Sequence, residues 1–390
     1  MRPLLLVCCL LVFAGAEFAA PADSSGQLLY FGTWPHEIVV FDSEQEKVVD
    51  KIDLKTDVPQ YVALSADKKK LFVNTLNDNS IVTIDLATRK VIGSFHLNTG
   101  NRNVRLNGLT PDPSGRYLYS VGDTIVKQID HFDVEPHKLF VVDLVEQKIS
   151  RSAEFPKEES LTGFWRIEMK LSPDAKYLYL FTSSILVFDT AEFKLVKKID
   201  LAKPGVSGVE NVSLNMVDEE PAEDPNAPPG KMISLFNSSD PYVHRQIFGI
   251  AEIDLAKLTF TFTPVAPVTT SAMQPLLLTP DRKTGYTATI DGGQQGNRRC
   301  EFWAFDMQTR KVINKKEFEG RNRFSFGMSA DGKKLFIYGA GYQIEVYDAK
   351  TFELRNAVDL PGDLSTNLVV MPLGLAAASA STAGVAPAAR

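Results

Sequence analysis

The sequence predicts an all-β fold, a seven-bladed β-propeller that is closed by pairing of its N- and C-terminal strands. Three observations predict it. One turn motif recurs seven times along the chain, a second turn motif precedes most of its copies, and the first repeat lacks a strand that the C-terminus supplies. A repeat architecture of this kind uses 390 residues as one closed unit rather than as several domains.

The first motif is an apolar pair that leads into an aspartate, followed by a short polar stretch and a second apolar run. Its seven aspartates are Asp42, Asp85, Asp143, Asp189, Asp254, Asp306 and Asp348. An aspartate can accept backbone N–H groups two residues on, and the alternating apolar residues around it indicate strands. Each copy therefore predicts a tight hairpin between the two outer strands of a blade.

The second motif ends one strand and turns into the next. Its five clear copies are Leu64–Asp67, Leu109–Asp112, Leu171–Asp174, Leu278–Asp281 and Met328–Asp331. Around Leu214 the motif is degenerate, although the alternation of strands continues. Each repeat thus reads as four short antiparallel strands, which is one propeller blade.

The two ends of the chain predict how the ring closes. The first repeat supplies only three strands, near Leu28–Gly32, Ile38–Phe41 and Val48–Ile52, and the run Asn367–Met371 supplies the missing inner strand. Pairing the two ends leaves no open sheet edge. An open solenoid of seven coils does not explain why one end lacks the strand that the other end has to spare.

The N-terminus predicts export. Arg2 precedes an apolar run and small residues follow at Ala14–Ala16, which is typical of a signal peptide over residues 1–16, with cleavage there or as late as residue 20. The alternative is an uncleaved membrane anchor, but the apolar run is shorter than the about 20 residues of a membrane span. We expect a periplasmic or secreted protein that has no membrane contact after cleavage.

The propeller is predicted over residues 27–373, with two segments outside the repeat. Residues 217–230 are acidic and rich in proline, and residues 375–390 are rich in alanine. Both compositions are typical of disorder. We therefore expect a disordered insertion on the fifth blade and a disordered tail.

Composition and motifs exclude several functions. The net charge is −6 and no basic block occurs, which argues against binding of nucleic acid. Cys8 and Cys9 lie in the leader, so the mature chain retains Cys300 alone and cannot form an internal disulfide. The sequence also lacks a haem-attachment motif, a phosphate-binding loop, a zinc-protease motif and a nucleophile elbow. No catalytic, cofactor-binding or metal-binding residue is assigned.

A histidine-containing insertion lies in the third blade, between residues 128 and 138. His131 and His137 are close in sequence to several carboxylates, which leaves a metal site open. The five intervening residues include a proline and do not impose a common face. This favours a solvated loop or a loop that contacts a partner.

Extra loop length predicts where function resides. Long loops at 128–138, 237–246 and 291–299 open on one side of the ring, and such loops mark the binding face of a repeat array. Residues just before the inner strands are predicted to surround the channel mouth there. The candidates for partner or substrate contact are Tyr61, Arg105, His131, Phe132, Trp165, Arg166, Met273, Arg323 and Phe324, with Asn211 in the equivalent position of the fifth blade. Aromatic and arginine side chains suit interfaces, but they also plug propeller channels.

The run His131–Pro136, followed by Lys138–Leu144, resembles the β subunit of quinohemoprotein amine dehydrogenase. The run Val346–Thr351, followed by Val358–Gly362, is similar to the end of that subunit. The remaining similarity, from about Leu28 to Met371, is the general repeat of YVTN-type propellers and, more distantly, of methylamine dehydrogenase heavy chains. The acidic insertion and the alanine-rich tail depart from the pattern.

The resemblance implies a propeller subunit without a cofactor. In such enzymes a small partner subunit carries cysteine tryptophylquinone, another carries c-type haem, and the propeller forms a wall of the cavity in which a primary amine is oxidised. Two other hypotheses stay open. One is a stand-alone exported propeller that binds a protein or a surface polymer, and the other is a propeller hydrolase of the lactonase type.

Overall fold

The structure is a computed structural model that describes residues 27–155, 167–214, 226–240, 245–268, 272–292, 298–321, 323–339 and 341–372. The predicted signal peptide, residues 217–225 of the predicted insertion and the predicted tail lie outside these ranges. The described residues form strands and no helix. Accordingly, none of them forms a helix long and apolar enough to cross a membrane.

The strands follow one another in seven groups. The first three groups are β1 (Gln27–Thr33), β2 (Glu37–Asp42) and β3 (Lys47–Asp53), then β4 (Pro59–Leu64), β5 (Lys70–Thr75), β6 (Ser80–Asp85) and β7 (Lys90–His96), then β8 (Arg102–Leu106), β9 (Thr110–Pro111), β10 (Tyr117–Lys127), β11 (Phe132–Val134), β12 (Lys138–Asp143) and β13 (Lys148–Glu154). The next two are β14 (Glu168–Leu171), β15 (Tyr177–Phe181), β16 (Ser184–Asp189) and β17 (Lys194–Asp200), then β18 (Glu210–Leu214), β19 (Lys231–Asp240), β20 (Arg245–Asp254) and β21 (Thr259–Pro267). The last two are β22 (Ala272–Met273), β23 (Leu277–Leu278), β24 (Thr284–Asp291), β25 (Arg299–Asp306) and β26 (Lys311–Phe318), then β27 (Ser325–Met328), β28 (Lys334–Tyr338), β29 (Gln343–Asp348), β30 (Leu354–Asp359) and finally β31 (Val369–Pro372).

Each group forms one antiparallel sheet, except that β31 joins the sheet of the first group, and seven hydrophobic clusters join the sheets into a ring. Each cluster combines side chains of two neighbouring blades. In blade 1, for example, Leu28 and Tyr30 pack toward blade 2, while Leu29 and Phe31 pack toward blade 7. Both faces of a blade are therefore buried. Because successive side chains of a strand point to opposite faces of the sheet, alternate residues contact different neighbouring blades. The predicted seven-bladed propeller is confirmed.

The ring closes in blade 1 as predicted. Its sheet has the order β3-β2-β1-β31, and β31 pairs with β1 in an antiparallel register that places Leu28 opposite Met371 and Tyr30 opposite Val369. The Thr366 hydroxyl accepts a hydrogen bond of 2.7 Å from the Gly32 N–H in the same seam. Strands from the two ends of the chain thus complete one sheet.

The seven aspartates of the first motif close the outer hairpins. Asp42, for example, accepts the N–H groups of Glu44 and Gln45 through Oδ1, at 2.8 and 2.9 Å. The other six accept in the same way from residues two or three positions on. Four residues after each aspartate the backbone takes a left-handed conformation, and none of these positions is glycine: they are Glu46, Arg89, Gln147, Phe193, Leu258, Arg310 and Phe352. This second constraint on the hairpin was not visible in the motif.

The inner turns use serine or threonine together with the aspartate. The Ser65 hydroxyl donates to Asp67 at 2.6 Å and accepts the N–H of Lys70 at 2.9 Å. Ser172, Thr279 and Ser329 repeat the hydroxyl-to-aspartate bond. Blade 3 differs, because its Asp112 itself accepts the N–H of Tyr117.

Two expectations about irregular segments need correction. Residues 226–230, assigned from sequence to the disordered insertion, form a turn in which Asn226 Nδ2 donates to the Leu278 carbonyl at 3.0 Å. Gly230 has a φ of +70°, and a Cβ there would lie 2.3 Å from the Pro173 ring, so this turn requires glycine. The segment predicted as a loop from 237 to 246 consists largely of β19 and β20, which pair up to Asp240 and Arg245.

Candidate functional site

We call upper the face that carries the excursions between the second and third strands of each blade and the connections between blades. The two kinds of turn described above lie on the opposite, lower face. The excursions of blades 3, 5 and 6, predicted to be long, all belong to the upper face.

Six large apolar side chains are exposed in the upper excursions of four consecutive blades. They are Tyr342 of blade 7, Trp34 of blade 1, Leu76 of blade 2, and Ile129, Phe132 and Val134 of blade 3, and we call this set the apolar arc. Over the described part of the chain, the other exposed large apolar side chains are Ile92, Val145, Val196, Ile313 and Leu354, on outer strands and one lower turn. Singly exposed apolar residues are ordinary, whereas groups of them mark interaction surfaces.

Two of these four excursions, those of blades 2 and 3, are acidic. They contain five carboxylates against one lysine: Asp78, Asp123, Asp130, Asp133 and Glu135 against Lys127. Unlike charges across an interface steer association and select partners. A partner of this face is therefore expected to carry apolar groups together with positive charge.

Blade 3 supplies the most prominent part of this face, residues 123–137, which we call the finger. The third strand β12 begins at Lys138 opposite Gly122, but β10 continues to Lys127. This upper part of β10 pairs with β8 on one side and with β11 on the other. Five residues at about 3.3 Å each give an extension of about 17 Å beyond the start of β12.

A polar cluster lies at the base of the finger. His137 contacts Asp123 through Nδ1 and Oδ1, and both side chains are largely buried. Arg105 lies opposite Asp123 in the β8–β10 register, and Asn107 Nδ2 donates to Asp123 Oδ2 at 3.4 Å. A carboxylate at Nδ1 fixes the orientation of an imidazole and directs Nε2 away from it, which is the arrangement of a general base.

Beneath this cluster, a small cavity lies between the inner strands of blades 1 to 4. It measures about 110 Å³ and is lined by Tyr61–Leu64, Gly108–Pro111, Ile167–Lys170 and Asn367. Sites for typical organic ligands are larger, about 300–1,000 Å³. The cavity therefore suits a few water molecules, and binding of a larger partner is expected on the upper face.

A larger depression of about 380 Å³ lies on the lower face between blades 5 and 6. Its charged lining takes part in ion pairs between strands, Lys231 with Asp254 and Glu252 with Arg310. The first pair joins β19 to β20 within blade 5, and the second joins blade 5 to blade 6. We interpret the depression as a consequence of that packing.

The sequence-predicted candidates fall into three groups: residues at the small cavity or on the finger, residues buried between blades, and residues that are exposed or outside the described ranges. Tyr61 lies in β4 and lines the small cavity, Arg105 lies in β8 beside Asp123, and His131 and Phe132 lie at the end of the finger. Met273 and Phe324 are buried, Met273 in the cluster between blades 5 and 6 and Phe324 in the cluster between blades 6 and 7.

The remaining candidates have less defined roles. Arg323 is exposed in the connection before β27, and Asn211 is exposed in β18 with a φ of 49°. Trp165 and Arg166 lie outside the described residues. Burial of Met273 and Phe324 between blades gives them a packing role in this structure, because each replaces contact with solvent by contact with a neighbouring sheet.

The two histidines of the insertion do not share a site. His131 lies 2.8 Å from Asp130 and 3.3 Å from Asp133, at the exposed end of the finger, whereas His137 contacts Asp123 at its base. Across the described ranges, no group of three or more histidine, cysteine, aspartate or glutamate side chains has the arrangement of a metal site. The two histidines are close in sequence, which had left a metal site open. The strand register places them at opposite ends of the finger.

Sequence reasoning missed Trp34, Tyr342 and the convergence of Asp123 with His137. Trp34 and Tyr342 were detectable, because each is an aromatic residue in a short predicted turn next to proline or glycine. The contact of Asp123 with His137 left no such signal, because it depends on how far β10 extends before it reverses.

The closed ring of seven four-stranded units defines the class: the chain is a seven-bladed β-propeller whose upper face carries the candidate binding site. In fold it is similar to many solved structures, three of which serve as examples. They are the dihydro-heme d1 dehydrogenase NirN in complex with DHE (TM-score 0.53, 13% identity, 92% of this chain and 77% of that chain), the periplasmic gluconolactonase PpgL of Pseudomonas aeruginosa (0.52, 13%, 89% and 99%), and a functionally unknown protein from Desulfotomaculum acetoxidans (0.52, 12%, 88% and 98%).

At these identities the likeness shows the fold alone. No protein-family model and no curated protein matches the sequence. The function therefore has to be argued from the chain's own surface.

Proposed function

We propose that this propeller is a binding subunit that docks a partner protein on its upper face. The observation that supports this best is the apolar arc, which extends over four consecutive blades and is accompanied by carboxylates in blades 2 and 3. Exposed aromatic side chains bury large areas in an interface, and the acidic surroundings favour a partner of opposite charge. In this proposal the chain provides the docking surface, and the partner carries the catalytic groups.

The partner is, in this proposal, the quinone-bearing small subunit of a periplasmic amine dehydrogenase, with a c-type haem subunit in the same complex. The resemblance of His131–Pro136 to the β subunit of such enzymes supports this, because that run forms the end of the finger and contributes Phe132 and Val134 to the apolar arc. The primary amine would then bind where the two proteins meet. A stand-alone exported propeller is the alternative.

The test is purification of the tagged protein from its native periplasm. A haem spectrum, a small band that stains for quinone, and amine-dependent dye reduction are expected together. The variant Trp34→Asp/Tyr342→Asp is expected to lose these bands, because it places charge in the arc. Ile313→Asp/Leu354→Asp changes two equally exposed residues on outer strands and is expected to retain them. A colourless propeller that purifies alone would reject the dehydrogenase proposal.

One observation favours a second function. The contact between Asp123 and His137 beside Arg105 provides a general base and a cation for an oxyanion, as a hydrolase of the lactonase type would need. The purified chain alone would then hydrolyse lactones, and His137→Gln would abolish turnover while leaving the fold intact. Absence of turnover over a panel of lactones would reject this alternative.

A further inference from the structure

We infer that the finger binds its partner by strand addition: an extended segment of the partner, apolar and basic, pairs with the free edge of β11. This inference deepens the proposed docking function and rests on it. It specifies both the element that is recognised and the kind of polypeptide that recognises it. It follows from backbone pairing, side-chain exposure and charge in residues 123–137.

Within the described ranges, one edge of β11 is unpaired. The Glu135 N–H donates to the Thr124 carbonyl at 2.9 Å, and the Gln128 N–H donates to the His131 carbonyl at 2.8 Å. Bonded pairs alternate in an antiparallel ladder, so positions 131, 133 and 135 face β10. The main-chain N–H and C=O groups of Phe132 and Val134 therefore point away from β10. Among the strands of the described ranges, β11 pairs with β10 alone.

The side chains on this edge are those that a docked strand would cover. Phe132 and Val134 are 62% and 65% exposed, and both lie on one face of the finger. Ile129, at the end of the finger, is also fully exposed. In strand addition, main-chain hydrogen bonds provide affinity, and alternate side chains provide specificity.

The composition of β11 differs from that of the lysine-rich outer strands β17 and β26. This difference argues against the free edge of β11 being an ordinary solvent-facing edge. Exposed edges are usually protected by lysine or other charges. The outer strand β17 contains Lys194, Lys197 and Lys198, and β26 contains Lys311, Lys315 and Lys316. In β11 the sequence is Phe-Asp-Val, so two large apolar side chains flank one carboxylate and no lysine is present.

Charge defines the partner segment. Asp130 and Asp133 are exposed on the finger, 84% and 55%, next to the free edge. Glu135, in contrast, is already bound by Lys138 at 3.0 Å and approached by Arg102 at 3.7 Å. Asp130 and Asp133 both contact His131, and Lys127 is the only lysine or arginine between residues 123 and 137. A strand that alternates valine-like residues with lysine or arginine complements both features.

The experiment uses the purified full-length protein and a labelled nonapeptide of alternating lysine and valine, acetylated and amidated. Binding is followed by fluorescence anisotropy. Val134→Pro removes an N–H that points away from β10, so the finger should still form, whereas the docked strand loses a hydrogen bond and meets the proline ring. The variant is expected to weaken peptide binding at least tenfold, about 1.4 kcal/mol.

Two controls separate backbone pairing from charge attraction. Val134→Thr keeps the N–H and the branched shape, and it should weaken binding less than threefold. A peptide of the same sequence with N-methyl groups on alternate residues keeps its charge but cannot pair, and it should not bind. Retention of the melting temperature by Val134→Pro confirms that the hairpin is intact.

The inference is overturned if the unmodified peptide fails to bind, if the N-methylated peptide binds equally well, or if folded Val134→Pro binds like the unsubstituted protein. These results are distinct from failure of the proposed function. If a partner co-purifies equally with the unsubstituted protein and with Val134→Pro, docking stands and strand addition fails. If the peptide binds through Val134 but no quinone or haem subunit co-purifies, strand addition stands and the dehydrogenase proposal fails.

Discussion

Lys334 and Glu46 form an ion pair of 2.9 Å across the seam between the last blade and the first. Both side chains are largely buried, and Lys334 Nζ also donates to the Ser43 carbonyl. Glu46 has a second, more distant cation in Arg355, at 3.5 Å. The pair therefore joins a hairpin of blade 1 to β28 of blade 7, in addition to the strand pairing that closes the ring.

We expect Lys334→Met to lower the free energy of unfolding by about 2 kcal/mol, because it leaves Glu46 partly buried with only the more distant Arg355. The adjacent Lys333→Met changes an exposed lysine and should lower it by less than about 0.5 kcal/mol. Urea unfolding followed by tryptophan fluorescence measures both. Equal effects of the two substitutions would show that the seam does not depend on this pair.

The left-handed hairpin position gives a second prediction. Gln147 has a φ of 53° in the blade 3 hairpin and is exposed. Gln147→Gly should stabilise the protein by about 0.5 kcal/mol, because relief of backbone strain of about 1 kcal/mol exceeds the added entropy of the unfolded chain. Gln147→Val should destabilise it by about 1 kcal/mol or more. As a control, Val145→Gly in the same turn should destabilise, since Val145 has an ordinary backbone conformation. Stabilisation by both glycines would contradict this reasoning.

Acid is expected to loosen the lower turns. The Arg116 guanidinium, with the N–H groups of Glu146 and Val145, lowers the pKa of Asp143 to about 2. The Lys231 ammonium likewise lowers the pKa of Asp254. Because these folded-state pKa values lie below the unfolded value of about 4, their stabilisation is complete above about pH 4 and is lost as the pH falls through the folded pKa.

The melting temperature should accordingly fall between about pH 4 and pH 2, and Asp143→Asn should make that fall shallower while lowering stability at neutral pH. Asp130→Asn, which removes a carboxylate from the finger, is the control and should leave the slope as it is. Differential scanning calorimetry across this range gives the slopes. An unchanged slope in Asp143→Asn would rule out this turn as a source of acid sensitivity.

The lysines of the outer strands are expected to keep the blades from associating. In β17, Lys197 and Lys198 follow the exposed Val196, and among the described strands β17 pairs with β16 alone. Lys197→Thr/Lys198→Thr should produce concentration-dependent association in sedimentation velocity. Lys257→Thr/Lys283→Thr removes the same charge from exposed turns and should stay monodisperse to the same concentration. Association of both variants would point to net charge rather than to the strand edge.

The cysteines allow a test of the predicted export. Cys300 is fully buried, and burial raises the pKa of its thiol, so it should be inert to thiol reagents in the folded protein. A processed chain should react with one equivalent of reagent, and only after denaturation. A chain that retains its leader should give three equivalents on denaturation, because Cys8 and Cys9 are still present. Rapid reaction of Cys300 in the folded protein would contradict its burial.

Local chemistry explains why the fold was predictable from the sequence. The hairpin at Asp348 forms through contacts among four consecutive residues, and the serine turn at Ser329 does so within six. Such turns depend on neighbouring residues only, so they can be recognised in the sequence. Their repetition predicts the blade as the repeating unit and also the number of blades. The first repeat lacks one strand, and a strand-like run is left over near the C-terminus of the chain. Together these two features predicted that the ring closes by pairing of the two ends.

Only the tertiary structure decided which side chains meet. The sequence predicted Met273 and Phe324 at the channel mouth, but the structure buries them between blades. A blade is buried on both faces, so the sequence does not show which neighbouring blade a given side chain contacts. Asp123 lies on β10, Arg105 lies on β8 and His137 directly precedes β12, and the extension of β10 beyond β12 aligns them. The Lys334–Glu46 pair joins residues that are separated by about three quarters of the chain. Turn chemistry acts over a few residues and can be read from sequence, whereas strand register and blade packing depend on the closed ring as a whole.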